Sequence, residues 1–192
     1  RHTVLFASNG FDTYGFDISS DGLNKTKEWL DSLGLNANLV EGDMLSLPYN
    51  DESFDSILCR NVISHQDTSG VKKIIGELKR VLKPGGECYL TLGSKSTWGF
   101  KQTSWPLLDE NTRLRMEEGP EYELPHFYAD YDLIKELFKD FKIEFINHIE
   151  DFYEANGQVY FGEMTFYHFG AIVPFETKEW DKKIGDWLVL PE

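Results

Sequence analysis

The sequence predicts an α/β fold with a mainly parallel β-sheet, helices on both faces, and an antiparallel hairpin near its C-terminal end. From residue 1 to about residue 92, amphipathic helical patterns alternate with short apolar runs, the order that builds a parallel sheet covered by helices. Farther along, two long strand-like runs flank Asn156-Gly157, a dipeptide that favours a tight hairpin turn. These two observations together give the fold class.

The first elements follow from the spacing of apolar residues and from the residues that begin or end each run. Ser19 or Ser20 can cap a helix that Gly34 ends, because serine accepts a hydrogen bond from the first turn and glycine tolerates the left-handed backbone after the last. The expected elements before residue 66 are a helix over 3–8 ended by Asn9-Gly10, a strand over 13–18, the helix capped by Ser19 or Ser20, and strands over 37–41 and 53–60.

The clearest helix covers residues 67–83. Its apolar residues recur at the i, i+3, i+4 and i+7 spacing of one helical face, and they are Val71, Ile74, Ile75, Leu78, Val81 and Leu82. Pro84-Gly85-Gly86 ends this helix, because proline and glycine together interrupt helical hydrogen bonding. A buried strand over 87–92 is expected next.

Residues 93–129 lack a sustained period and carry scattered Trp, Pro and Gly residues among charges. We interpret this segment as an insertion or lid. A helix over 130–140 and the two strands of the hairpin follow it. The predicted domain therefore covers residues 1–175, and residues 176–192 form a polar C-terminal tail with no clear place in the core.

Composition narrows the function classes. The chain has 192 residues, of which 41% are hydrophobic, and a formal net charge of −14 at pH 7. Nucleic-acid affinity depends mainly on Lys and Arg, so this charge disfavours a nucleic-acid partner. No apolar run is long enough to cross a bilayer, and no signal segment opens the sequence. Cys59 and Cys88 lie in apolar runs and are expected to be reduced core thiols, which predicts a cytoplasmic protein.

Two acidic residues follow neighbouring predicted strands. Asp17 ends the strand Tyr14-Gly15-Phe16-Asp17, and Asp43 follows the next strand in Glu41-Gly42-Asp43-Met44. Parallel α/β sheets bind ligands beyond the carboxyl ends of their strands, where an acid can accept hydrogen bonds from the hydroxyls of a ribose. These positions favour nucleoside binding. The alternative for Asp17 is a cap for the next helix, a common use of aspartate.

The residues around these acids resemble those of the class I S-adenosylmethionine-dependent methyltransferases. The similarity extends over residues 1 to about 173, and the segments that carry it are Gly10-Phe11, Tyr14 to Ser19, Glu41 to Met44, Ser53 to Leu58 and Glu77 to Gly86. The resemblance implies a Rossmann-like, doubly wound α/β fold. It also implies S-adenosylmethionine as the cofactor and a small molecule as the methyl acceptor.

The resemblance further implies roles for individual residues. Asp17 would hold the ribose hydroxyls, and Asp43 would bind the adenine amino group. Ile18 and Met44 would pack on the two sides of the adenine, with ordinary core packing as the alternative. The segment that lines the methionine part of the cofactor in this family matches Arg60, Asn61 and Val62, for which the alternative is a turn or a helix start.

One part of the family pattern is missing from this sequence. The family's first strand and its glycine-rich turn should lie just before Arg1, so we expect the natural chain to continue in that direction. That strand is central in the family's sheet, and without it the backbone groups of two neighbouring strands would lack partners.

Methyl transfer needs few protein groups, because the sulfonium of the cofactor already supplies the reactivity. His65, which follows the fourth family strand, is a candidate base, with a surface or capping histidine as the alternative. Trp98, Phe100 and His126 are candidate substrate-binding residues, although such aromatic rings can simply anchor a long loop. No spaced Cys/His cluster suggests a metal site.

The predicted function is methyl transfer from S-adenosylmethionine to a small molecule. Two alternatives stay open: an NAD-dependent dehydrogenase, which also places an acid on ribose, and a non-catalytic binding module of the same fold. Asp43 and the terminal hairpin argue against the dehydrogenase.

Overall fold

The structure, a computed structural model, describes residues 1–155 and 158–174. The chain divides into two compact units, Arg1–Tyr49 and Asn50–Glu192. The first unit contains a two-stranded sheet and the second a seven-stranded sheet. None of the helices in the described residues is long and apolar enough to span a membrane. The predicted Asn156-Gly157 turn and the predicted tail over 176–192 lie outside the described residues.

The first unit contains every element predicted for it. Its elements are α1 (His2–Ser8), β1 (Tyr14–Asp17), α2 (Ser20–Ser32) and β2 (Asn38–Glu41). Ser19 caps α2, since its side-chain oxygen accepts a hydrogen bond from the backbone N–H of Gly22 at 3.1 Å. Strands β1 and β2 pair in parallel, so their carboxyl ends share one edge of the sheet.

The second unit is built around one long central strand. Its elements are β3 (Phe54–Cys59), α3 (Thr68–Val81), β4 (Leu82–Ser94), α4 (Trp98–Lys101), β5 (Leu107–Asp109), β6 (Thr112–Leu114), β7 (Pro125–Ala129), α5 (Tyr131–Leu137), β8 (Lys142–Ala155) and β9 (Gln158–Ile172). Strand β4 pairs in parallel with β3 and with β7, and antiparallel with β9. The antiparallel pairing of β8 with β9 confirms the strands of the C-terminal hairpin.

Strands β3 and β7 lie one after the other along the same edge of β4. Strand β9 pairs along the other edge of β4. In β4, Cys88 pairs with both β3 and β9, and Gly93 pairs with both β7 and β9. The chain that leaves β3 therefore runs beside β7, and the N–H of Phe127 donates to the carbonyl of Ser64 at 2.8 Å. This arrangement brings residues just after β3 next to residues of the predicted insertion.

Helix α3 buries the apolar face that the sequence predicts. Asp67 caps it by accepting a hydrogen bond from the N–H of Gly70 at 2.7 Å. The helix ends at Val81 rather than at residue 83, because Leu82 already has an extended backbone. The buried residues of the helix are Val71, Ile74, Ile75, Leu78 and Val81.

The predicted insertion is folded rather than irregular. Within residues 93–129 the chain forms α4 and the strands β5, β6 and β7, and β7 joins the main sheet by pairing with the end of β4. Strand β6 pairs antiparallel with β5 and with β7. Strands of three to five residues contain too few positions for a period to be read from the sequence, which is why the sequence predicts no elements within this segment.

The two cysteines lie in neighbouring strands of the core. Cys59 ends β3 and Cys88 lies in β4, and both are buried and free of a disulfide. Burial raises the pKa of the Cys59 thiol to about 11 and that of the Cys88 thiol to about 12. Both are therefore protonated at neutral pH, as expected of core thiols.

Candidate functional site

Asp17 and Asp43 lie at the carboxyl ends of the two parallel strands of the first unit. Asp17 is the last residue of β1 and is paired with Glu41, the last residue of β2. Asp43 follows Glu41 by two positions, and both aspartates are exposed. The parallel pairing thus places both carboxylates at the same edge, the edge where sheets of this class bind ligands.

The carboxylate of Asp17 keeps one oxygen available. Its Oδ1 accepts a hydrogen bond from the backbone N–H of Ser19 at 2.9 Å, whereas the side chain that caps α2 is that of Ser19 itself. No hydrogen bond within the described residues uses Asp17 Oδ2. Asp17 therefore supports the turn before α2 and can still accept a hydrogen bond from a ligand.

The neighbouring residues have the exposure that a nucleoside contact requires. The side chain of Ile18 is 73% exposed, so it does not form part of the core of the unit. Asp43 Oδ1 accepts a hydrogen bond from the N–H of Leu45 at 2.8 Å, which fixes the turn after β2. Met44 is half-buried beside it. Ile18 and Asp17 thus present an apolar and an acidic side chain next to each other at the end of the sheet.

The second unit presents a strained turn directly after β3. Asn61 has φ of 56°, a left-handed conformation that is uncommon for residues other than glycine. Its N–H donates to Thr91 Oγ1 at 2.7 Å, and that hydroxyl donates in turn to Asn61 Oδ1 at 2.7 Å. Arg60 is exposed, and Val62 is 48% exposed. The buried hydroxyl of Thr91 therefore holds the turn that contains the three predicted methionine-side residues.

Three further side chains converge within the second unit. The Nε2 atom of His65 lies 3.9 Å from Glu121 Oε1, and the Nε2 atom of His126 lies 3.5 Å from Glu121 Oε2. The rings of His65 and His126 meet edge to face with centroids 4.9 Å apart. Both histidines are predicted site residues, but nothing in the sequence joins them, and Glu121 is not among the predicted residues. No local spacing connects these residues, since the pairing of β7 with β4 brings them together.

Burial strongly affects His126. Burial is the main cause that lowers the pKa of His126 to about 4, and the nearby His65 and Arg115 act in the same direction. The carboxylate of Glu121 opposes this shift without overcoming it. The imidazole of His126 is therefore neutral at neutral pH.

The aromatic residues of the 93–129 segment form two groups. Trp98 packs edge to face on Trp105 with ring centroids 5.3 Å apart, and Trp98 remains 41% exposed while Trp105 is buried. Phe100 packs on Tyr128 at 5.4 Å, and Tyr128 stacks on His126 at 6.4 Å. Of the predicted substrate residues, Phe100 and His126 thus both contact Tyr128, and Trp98 belongs to the other group.

Comparison with known proteins finds sequence similarity to methyltransferases. Residues 1–90 match a protein family described as a methyltransferase domain. Over 100 residues, 50% of this chain and 17% of the relative, the sequence is 34% identical to the biotin biosynthesis bifunctional protein BioHC of Teredinibacter turnerae. Over 97 residues, 47% of this chain and 39% of the relative, it is 32% identical to the demethylmenaquinone methyltransferase of Geobacillus kaustophilus.

The fold agrees with these sequence matches. The crystal structure of an S-adenosylmethionine-dependent methyltransferase from Methanosarcina mazei covers 90% of this chain and 87% of its own, with a TM-score of 0.70 and 23% identity. The family match covers residues 1–90, somewhat less than half of the chain, whereas the structural likeness covers 90% of it. Its Rossmann-like α/β fold is confirmed by the same likeness.

The matched region contains all the predicted cofactor residues and His65, whereas Trp98, Phe100 and His126 lie beyond it. The matches to three curated relatives span only 17% to 39% of those proteins. The sequence similarity therefore bears on the predicted cofactor residues, and the predicted substrate residues have to be argued from the geometry of the second unit.

Proposed function

We propose that this protein transfers a methyl group from S-adenosylmethionine to a small-molecule acceptor. The observation that carries the proposal is the pair of exposed carboxylates, Asp17 and Asp43, at neighbouring carboxyl ends of β1 and β2 in a chain whose residues 1–90 match a methyltransferase domain. An acid at the end of the first of these strands suits the ribose of a nucleoside cofactor. The alternative of an NAD-dependent dehydrogenase is not favoured by the family match.

The proposed cofactor contacts follow from which atoms remain available. Asp17 Oδ2 has no bond within the described residues and would accept from a ribose hydroxyl. Ile18, with its exposed side chain, would pack on the adenine opposite Met44, and Asp43 would accept from the adenine amino group. The residues proposed to line the methionine part, in the turn held by Thr91, are Arg60, Asn61 and Val62.

The chemistry is a displacement at the methyl carbon. A bound S-adenosylmethionine would supply an activated methyl group: a nucleophilic atom of the acceptor would bond to the methyl carbon while the sulfur keeps the electron pair of the broken carbon–sulfur bond. The protein's task is to align the two reactants and exclude water. The role of His65 as a base that takes the acceptor's proton stays a prediction.

The acceptor would lie against the folded 93–129 segment. Phe100, Tyr128 and His126 form a continuous row of rings there, and the exposed Trp98 lies nearby in sequence on α4. Rings of this kind suit a small apolar or aromatic acceptor. The net charge of −14 supports a small molecule over a nucleic acid, and the two free thiols support the predicted cytoplasmic location.

Isothermal titration of the full-length protein with S-adenosylmethionine and with NAD tests the proposal. We expect saturable binding of S-adenosylmethionine alone, and Asp17→Asn should weaken it about 10-fold or more, since a hydrogen bond to a charged group is worth about 1.5–3 kcal/mol. Asp31→Asn is the matched control, because it removes the same charge at the other end of α2, where Asp31 pairs only with Lys27 among the ion pairs of the described residues. Asp31→Asn should leave the affinity unchanged.

Each other outcome points to a specific alternative. Binding of NAD instead would replace the methyltransferase with a dehydrogenase. Binding of neither ligand would favour the non-catalytic module. If S-adenosylmethionine binds, transfer of a labelled methyl group to members of a panel of small aromatic acceptors distinguishes an enzyme from a protein that holds the cofactor without reaction.

A further inference from the structure

His65, Glu121 and His126 form a compact cluster of metal-binding side chains. One potential ligand atom from each residue lies within 4.8 Å of the others. His65 follows β3, His126 lies on β7, and Glu121 lies in the loop that connects β6 to β7. Three residues from three separate parts of the second unit thus point their nitrogen and oxygen atoms at one small volume.

The contacts within this cluster are too long to be hydrogen bonds. The two nitrogen–oxygen separations are 3.9 Å and 3.5 Å, whereas an N–H to oxygen hydrogen bond spans about 2.7–3.2 Å. Within the described residues, His126 Nε2, which faces Glu121, is buried without a hydrogen-bond partner, and so is His65 Nδ1, the ring nitrogen of His65 other than the one 3.9 Å from Glu121. Buried polar atoms are rarely left in this state, which indicates that a further group completes the cluster.

The nitrogen–oxygen separations in the cluster are closer to those between two ligands of one metal ion than to those across a hydrogen bond. Two ligand atoms that each lie about 2.1 Å from a tetrahedral Zn²⁺ are about 3.4 Å apart. Two neutral imidazoles and one carboxylate are ligands that divalent transition metals accept.

We infer that His65, Glu121 and His126 bind a divalent transition-metal ion, with the chemistry of Zn²⁺ as the best fit. Three protein ligands leave at least one coordination position open to water or to another ligand. The inference does not rest on the proposed methyl transfer. It gives His65 a role as a ligand in place of the predicted role as a base, because a coordinated nitrogen cannot take a proton.

Arg115 positions the carboxylate in this site. Its Nη1 atom donates to Glu121 Oε2, and its Nη2 atom donates to Glu117 at 2.6 Å. Glu121 Oε1 is left facing His65. Side chains that hydrogen-bond to metal ligands orient those ligands, and their removal commonly weakens the affinity for the metal about 10–100-fold.

Titration of metal-free, untagged full-length protein with Zn²⁺ tests the inference, with bound Co²⁺ as a spectroscopic probe of coordination. We expect one saturable ion per chain and a visible absorption band of bound Co²⁺ with nitrogen and oxygen ligands. Glu121→Gln and His126→Gln should each weaken Zn²⁺ binding at least about 10-fold. His148→Gln is the matched control, because His148 bonds to Ser94 and Ser96 and lies outside the cluster.

Circular dichroism of each variant separates loss of the site from loss of the fold, and the partly exposed Glu121 is the variant least able to disturb the core. Absence of saturable Zn²⁺ binding to the wild-type protein would overturn the inference. So would folded Glu121→Gln and His126→Gln variants that bind Zn²⁺ as tightly as His148→Gln. Binding of S-adenosylmethionine is measured separately, so failure of the metal site and failure of the proposed function give different results.

Discussion

Replacement of Thr91 by valine tests whether one buried hydroxyl holds the turn after β3. Thr91 lies in β4 and is 1% exposed, and its hydroxyl accepts from the N–H of Asn61 and donates to Asn61 Oδ1, both at 2.7 Å. Valine has nearly the same shape but makes neither bond. Asn61 would keep its left-handed φ of 56° without the two contacts that stabilise it.

The expected loss of stability is about 2 kcal/mol. Each of the two hydrogen bonds contributes a net value of about 1 kcal/mol, and the N–H of Asn61 loses its partner. Such a change lowers the folding equilibrium constant roughly 30-fold. With a denaturant slope of about 2 kcal/mol/M in urea, the midpoint of unfolding should fall by about 1 M. The affinity for S-adenosylmethionine should fall as well, since Asn61 is proposed to line its methionine part.

A double-mutant cycle with Asn61→Gly isolates the interaction. Glycine adopts a positive φ without strain and has no side-chain oxygen for Thr91 to reach. In that background Thr91→Val should cost only about 1 kcal/mol, which leaves a coupling of about 1 kcal/mol between the two positions. Urea unfolding followed by tryptophan fluorescence measures all four proteins. An unchanged midpoint for Thr91→Val, or an equal loss in both backgrounds, would refute the reasoning.

Two further predictions concern stability elsewhere in the second unit. Gly86→Ala should destabilise the fold by about 1–3 kcal/mol in the same urea assay, because its new Cβ would lie 2.8 Å from the backbone carbonyl oxygen of Lys83. Gly76 is an exposed position of α3 where a new Cβ meets nothing within 4 Å, so Gly76→Ala should stabilise the fold by about 1 kcal/mol. Equal effects of the two substitutions would contradict this account. Asp130 caps α5, and the N–H of Leu133 is the main cause that lowers its pKa. Its charge therefore stabilises the fold above the unfolded pKa of about 3.9, and the stability difference between wild type and Asp130→Asn should shrink as the pH falls below that value. A difference that does not change from pH 7 to pH 3 would contradict the prediction.

Features with a local physical cause could be predicted from the sequence. The apolar face of α3 is set by a spacing of three and four residues, and caps such as Ser19 and Asp67 satisfy N–H groups within one turn. The placement of Asp17 and Asp43 at one edge follows from parallel pairing of β1 with β2, which the alternation of strands and helices already implies. These features depend on neighbours in the chain or on the fold class alone.

The sequence by itself thus determined the α/β class, the order of the main elements and the edge where Asp17 and Asp43 lie. Only the tertiary structure decided that the 93–129 segment adds strands to the sheet, that Thr91 holds Asn61 across 30 positions of chain, and that His65 meets Glu121 and His126. The physical reason is strand pairing: β3 pairs with β4 up to Leu90, beside Thr91, and β7 pairs with the end of β4. Contacts between paired strands depend on strand register, and strands of three to five residues are too short for the sequence pattern to predict that register.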